Sequence, residues 1–158
     1  MEGKKPVITV RPPRPGDLAQ VVAMENRSFV DPWAPEALEQ ELTPDRLRLP
    51  LVAETSGKVA GYLMAWKIVD QLHILNIATD PDFRRLGVGT ALLGNAVEKA
   101  GNMGMVEITL EVRESNQAAR AFYLRHGFVT RGRRQSYYAD NGEDAIIMTR
   151  RISGFRES

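Results

Sequence analysis

The 158-residue chain contains no cysteine. That excludes disulfides, thiolate metal sites and any acyl-cysteine intermediate. Histidine is almost as scarce. His73 and His126 are the only two, too few for a three-histidine metal centre, and no metal is expected. Long apolar runs are missing as well. Tyr62–Trp66 is typical of the longest, far short of the roughly 18 residues a membrane helix needs. Behind Met1-Glu2-Gly3-Lys4-Lys5-Pro6 comes no apolar segment, and position 2 is Glu, so neither a signal peptide nor a myristoylation signal is expected. A soluble, cytoplasmic protein without membrane partners is expected. Nor does either sign of charge prevail: Lys+Arg 21 against Asp+Glu 20 leaves a net charge of +1. Nucleic-acid-binding domains usually carry a large basic excess, so direct nucleic-acid binding is not expected.

What is present is an ordinary globular mix, 43% hydrophobic and 26% charged, in a length that suits one domain. Val7–Arg11 reads as a short strand, ended by Pro12, Pro13, Pro15 and Gly16. Asp17 opens a helix with Leu18, Val21, Val22 and Glu25 at helical spacing. Phe29-Val30-Asp31-Pro32-Trp33 interrupts it, and a second short helix fits Pro35–Leu42. Strands over Leu51–Thr55 and Val59–Val69 are joined by the turn Ser56-Gly57-Lys58. Leu72–Ala78 is a strand with little alternation, as expected where both faces are covered. Gly87–Ala100 is a helix, with Val88, Leu92, Ala96 and Ala100 at four-residue steps. Met105–Val112 alternates, placing Val106, Ile108, Leu110 and Val112 on one face and Glu107, Thr109 and Glu111 on the other. Ser115 or Asn116 caps a helix running to about His126. Two last strands fit Phe128–Tyr138 and Ala145–Ile152, with a turn at Asp140-Asn141-Gly142-Glu143. The order predicts a mixed α/β domain around one sheet.

Leu72–Ala78, Gly87–Ala100 and Met105–Val112 form a β-α-β unit, which makes its strands parallel. Ligands of such units bind at the C-terminal ends of the strands. There the sequence places Arg84-Arg85-Leu86-Gly87-Val88-Gly89-Thr90, a helix start whose first amides are free and whose dipole favours an anion. It lacks the Gly-Lys-Ser/Thr of a P-loop. A side chain at Gly89 is expected to crowd a phosphate while the fold survives. Asn116 and Tyr123 lie seven residues apart, two helical turns, and so share a face.

Together these stretches resemble the GCN5-related N-acetyltransferase (GNAT) superfamily, in which R/Q-x-x-G-x-G/A holds the coenzyme A pyrophosphate. Asn76-Ile77-Ala78-Thr79-Asp80-Pro81, Leu110-Glu111-Val112-Arg113-x-Ser115-Asn116, and Tyr137-Tyr138 followed by Glu143-Asp144-Ala145-Ile146-Ile147-Met148 resemble the branch that acetylates ribosomal-protein N-terminal alanines. The resemblance spans about residues 8–150 of a single 1–158 domain with short polar tails. It implies about seven strands and four helices, with an acetyl-CoA cleft where two parallel strands splay. By the same resemblance, the backbone of Ile77, Ala78 and Thr79 pairs with pantetheine. Arg84, Arg85, Leu86, Gly87, Val88, Gly89 and Thr90 meet the pyrophosphate, and Asn116 reaches the coenzyme. Glu111 is the general base and Tyr123 the general acid. Phe29, Pro32 and Trp33, with the hairpin pair Tyr137 and Tyr138, flank the incoming peptide.

The chemistry suits these groups. A free α-amine has a pKa near 7.7–8.0 and needs modest help to lose its proton, which a carboxylate can accept directly or through water. With no cysteine, direct attack in a ternary complex is expected. The implied partner is the N-terminal peptide of a small-subunit ribosomal protein, and a monomer or weak dimer is expected. Two alternatives are an enzyme of the same fold acting on a small-molecule amine or lysine, and a non-catalytic acetyl-CoA-binding module. Arg131, Arg133 and Arg134 form a basic cluster on a solvated face or toward an anion. His73 and His126 read as structural.

Overall fold

The computed structural model describes residues 6–152; most of the short polar tails expected on either side of residues 8–150 lies outside it. Seven strands form one sheet in the order β1-β2-β3-β4-β5-β7-β6. They are β1 (Thr9–Arg11), β2 (Arg48–Thr55), β3 (Lys58–Ile68), β4 (Gln71–Thr79), β5 (Glu107–Arg113), β6 (Val129–Arg134) and β7 (Ala145–Arg151). Helices α1 (Leu18–Ser28), α2 (Pro35–Glu41), α3 (Val88–Asn102) and α4 (Gln117–Arg125) connect them. Pro50 sits within β2 opposite Met64 of β3, while β1 pairs β2 only over Val52–Glu54. Its missing N–H therefore falls where the other edge of the strand has no partner.

Side-chain alternation divides the core into two layers. Leu51, Leu63, Ala65, Leu72, Ile108 and Leu110 pack with Val88, Leu92, Leu93 and Ala96 of α3. Val52, Tyr62 and Met64 pack on the other face with Val21 and Met24 of α1 and Leu38 of α2. Gly61 lets α3 come this close. A Cβ there would lie 2.6 Å from Val88 Cγ1 and 2.7 Å from the backbone oxygen of Ala78. Gly61→Ala is expected to cost about 1–3 kcal/mol by overpacking, read as a lower denaturant midpoint with an unchanged slope.

Most expected elements form, with two corrections. Val106 is not part of the buried face of β5. It precedes the strand and is 40% exposed, because its backbone N–H bonds the Asp70 carbonyl in the turn between β3 and β4. The strand expected over Phe128–Tyr138 ends at Arg134, so Tyr137 and Tyr138 lie in the β6–β7 connection. Ser136, with φ 52°, turns the chain there.

All strand pairs are antiparallel except β4–β5, which are parallel over only four pairs, Gln71↔Glu107 to Ile74↔Leu110. Just beyond, β4 carries an extra residue. Met64 pairs Asn76 and Ala65 pairs Ile74, which leaves Leu75 bulged. A bulge bends its strand and sharpens the local twist. From Leu75 onward β4 stays with β3, while β5 stays with β7 through Arg113↔Ala145. The sheet opens there into a wedge.

Candidate active site

The wedge holds a cleft of about 650 Å³. Ile74, Asn76 and Ile77 of β4 form one wall, Leu110–Arg113 of β5 the other, and Tyr123 of α4 and its cap Asn116 line the cleft as well. Phe29 and Trp33 from the loop between α1 and α2, and Tyr138 from the β6–β7 connection, complete the lining. Thus Glu111, Tyr123, Asn116, Ile77, Phe29, Trp33 and Tyr138 meet around one space. Pro32 and Tyr137 do not line it. Tyr137 is 46% exposed and stands edge-on to Tyr138, centroids 5.1 Å apart. Ala78, Thr79 and Arg84–Thr90 also lie outside the lining.

Glu111 is the first β5 carboxylate beyond the parallel pairing. Its side chain is 15% exposed, and its oxygens lie 3.1 Å from His73 Nε2 and 3.2 Å from Arg134 Nε. Glu107, on the same strand face, is used differently. It pairs with Gln71 in register and accepts a 2.9 Å bond from the Gln71 side-chain amide. His73 therefore touches the candidate base, whereas His126 is structural: it lies 2.8 Å from the Phe122 carbonyl and 3.1 Å from Thr90 Oγ1. The three arginines of β6 are each spoken for. Arg131 faces Glu107, Arg133 bridges Glu114 and Asp144, and Arg134 faces Glu111.

Tyr123 is 6% exposed in an apolar setting with Phe122 and Phe128. Burial pushes its phenol well above the usual tyrosine range, so the group keeps its proton. Tyr138 is also pushed up, chiefly by burial, although the Arg113 guanidinium 4.0 Å over its ring opposes this.

Asn116 caps α4, its Oδ1 accepting from Ala119 N–H at 3.1 Å. The same residue lines the cleft. At the start of α3, Gly87 adopts φ 87° and Arg85 φ 67°. The first backbone bond of that helix is Ala91 N–H to Gly87 O, 2.9 Å, so the amides ahead of it have no partner in the helix. A left-handed residue followed by helical ones forms an anion-binding concavity, flanked here by exposed Arg84 and Arg85. Gly89 needs its hydrogen for another reason besides. A Cβ there would sit 3.3 Å from the Phe122 ring, so a substitution also disturbs the contact between α3 and α4.

Among the lining residues that the sequence reading did not single out, one carries a buried charge. Glu25 of α1 is 1% exposed. It accepts hydrogen bonds from the Tyr62 hydroxyl, from Asn76 Nδ2 at 3.1 Å and from Trp33 N–H at 2.9 Å. The signal was a carboxylate on the apolar stripe Leu18–Val21–Val22–Glu25.

The chain belongs to the Acetyltransferase (GNAT) family, whose model matches residues 18–128. A Bacillus subtilis relative is 38% identical over 139 residues, 88% of this chain and 92% of its own. The [ribosomal protein bS18]-alanine N-acetyltransferase of Escherichia coli K12 is 35% identical over 139 residues, 87% of this chain and 93% of its own. The crystal structure of the ribosomal-protein-S18-alanine N-acetyltransferase from Escherichia coli superposes with a TM-score of 0.86 at 33% identity, covering 96% of this chain and 98% of that one.

Among the described residues no helix is long and apolar enough to cross a membrane. No group of three or more potential metal ligands occurs among them either.

Proposed function

We propose that the chain acetylates the α-amine of a protein N-terminus, the N-terminal alanine of the small-subunit ribosomal protein bS18 being its acceptor, in the cytoplasm and by direct attack in a ternary complex. The observation that carries this is the cleft itself. Phe29, Trp33 and Tyr138 line it together with Glu111 and Tyr123, which suits an extended peptide better than a small metabolite. The names of the Escherichia coli relatives support the ribosomal acceptor.

Acetyl-CoA supplies an acyl carbon activated as a thioester. The residues present fit it. The concavity at Arg84–Thr90 suits its phosphates. Beyond Ile74 the β5-facing edge of β4 has no strand partner, so alternate backbone groups among Ile77, Ala78 and Thr79 are free to pair with pantetheine amides. Asn116 offers its side-chain amide. Glu111 takes the proton of the α-ammonium, directly or through water. The amine nitrogen then bonds the acyl carbon and loses its second proton to solvent, the carbon–sulfur bond breaks, and Tyr123 gives its proton to the departing sulfur and regains one from solvent.

Incubation with acetyl-CoA and three peptides tests the reading. One begins with alanine, one has the same sequence with a blocked terminus, and one offers only a lysine amine. Mass spectrometry should find acetylation on the free alanine terminus and almost none on the others. Equal rates on lysine and on the alanine terminus would replace this reading with that of a general amine acetyltransferase.

A further inference from the structure

We propose that Glu25 is a positioning residue for the acceptor: its carboxylate ties the Phe29–Trp33 loop to the splayed half of β4 and so sets the subsite for the first residue of the incoming peptide. This rests on the N-terminal acetyltransferase reading above. Glu25 is almost fully buried and forms no salt bridge with any described residue. A buried carboxylate without a counter-ion is costly unless hydrogen bonds satisfy it. Here three donors from three different elements do so. Oε1 accepts from the Tyr62 hydroxyl of β3 and from Asn76 Nδ2 of β4, 3.1 Å, one residue past the Leu75 bulge. Oε2 accepts from the backbone N–H of Trp33, 2.9 Å, beyond the loop. The backbone of Glu25 holds the other end of that loop, its carbonyl accepting from Phe29 N–H at 3.1 Å.

One residue therefore grips both ends of the segment that carries Phe29 and Trp33, and fixes it against the strand that borders the wedge. Between the grips, Val30 and Asp31 are exposed. Nothing apolar could replace this side chain, since Trp33 N–H, Tyr62 and Asn76 all donate and need an acceptor. Glutamine could. Its carbonyl can face Trp33 N–H while its NH2 group donates to a flipped Asn76 carbonyl and to the Tyr62 oxygen, so the loop and the strand stay tied and only the Tyr62 hydroxyl proton loses its acceptor. A role in holding the loop therefore survives Glu25→Gln, whereas a role that needs negative charge does not.

The test is steady-state kinetics on the full chain with an alanine-initiated peptide, together with amide exchange followed by NMR. Glu25→Ala should raise the peptide KM about tenfold or more, with kcat within about threefold and the acetyl-CoA KM unchanged, the pattern of lost uniform binding. Glu25→Gln should return the peptide KM to within about threefold of the parent. In the parent, Trp33 N–H should exchange more slowly than the amides of Val30 and Asp31. It should exchange faster in Glu25→Ala and recover in Glu25→Gln. A parental peptide KM in Glu25→Ala, or an equal loss in Glu25→Gln, overturns the proposal. So does a parent whose Trp33 amide exchanges as fast as that of Val30, a result obtainable even if Glu25→Ala does not fold. Should the parent acetylate lysine amines but no peptide terminus, the acceptor assignment falls with the function reading. Slow, Glu25-dependent exchange at Trp33 would then still support the tether itself.

Discussion

Glu111→Gln is expected to lower turnover on an alanine-initiated peptide by about 10²–10⁴-fold at neutral pH, the usual contribution of a general base. The amide keeps the size of the side chain, a carbonyl oxygen for Arg134, 3.2 Å from Oε2, and an NH2 group that can donate to His73 Nε2, 3.1 Å from Oε1. It cannot accept a proton. Acetyl-CoA affinity should stay near the parental value, because the role proposed for Glu111 is toward the acceptor amine. The pH profile supplies the sign. The α-amine, pKa near 7.7–8.0, is largely protonated at pH 7 and largely neutral at pH 9. The variant's rate should therefore climb through that interval while the parent's changes little, so the deficit narrows as pH rises. A variant that turns over at the parental rate, or whose deficit is the same at pH 7 and pH 9, removes the proton-acceptor role from Glu111.

Tyr123→Phe is expected to lower turnover by a similar factor, about 10²–10⁴, with the opposite pH behaviour. Burial raises the Tyr123 phenol above its ordinary value of 10. It thus stays protonated across pH 6–9, and the parent should show no falling alkaline limb from this group there. A departing thiolate needs a proton that phenylalanine cannot give. Deprotonating the amine at higher pH does not supply it, so the variant should not recover. Stability should move little: the ring remains packed against Phe122 and Phe128, 5.3 and 5.4 Å between centroids, and no described residue hydrogen-bonds the hydroxyl. Calorimetric titration of acetyl-CoA would separate lost chemistry from lost binding. A parental rate would take the acid role away from Tyr123.

The two carboxylates of β5 show how far the sequence could be read. Alternation puts Glu107 and Glu111 on one face and offers no reason to separate them. Their difference is made by the Leu75 bulge, which ends the parallel pairing between them. A bulge is a property of two strands in register, and Leu72–Ala78 alone carries no mark of it. The β-α-β unit, the glycine-bearing start of α3 and the Asn116 cap were legible because each is local in sequence. Glu25 was half legible. A carboxylate on an apolar helix stripe must find donors, but Tyr62, Asn76 and Trp33 come from three other elements, which no periodicity brings together. Tyr138 was placed at the cleft by resemblance, yet the strand expected to carry it stops at Arg134.

The four residue pairs that join β4 to β5 also bear on how the chain assembles. Strands β2, β3 and β4 are hairpin neighbours, so their pairing closes only short loops. The β4–β5 seam instead needs the whole of α3 to cross over first. Contacts of long sequence separation form slowly, because loop closure precedes any reward. The seam is therefore expected to zip late in folding, after the meander over 48–79 and the β5–β7–β6 segment have each taken shape. Pulsed amide labelling during refolding should find β3 protected before the Ile74–Leu110 junction. The place where the molecule parts to admit its substrates would then also be the last place where it comes together.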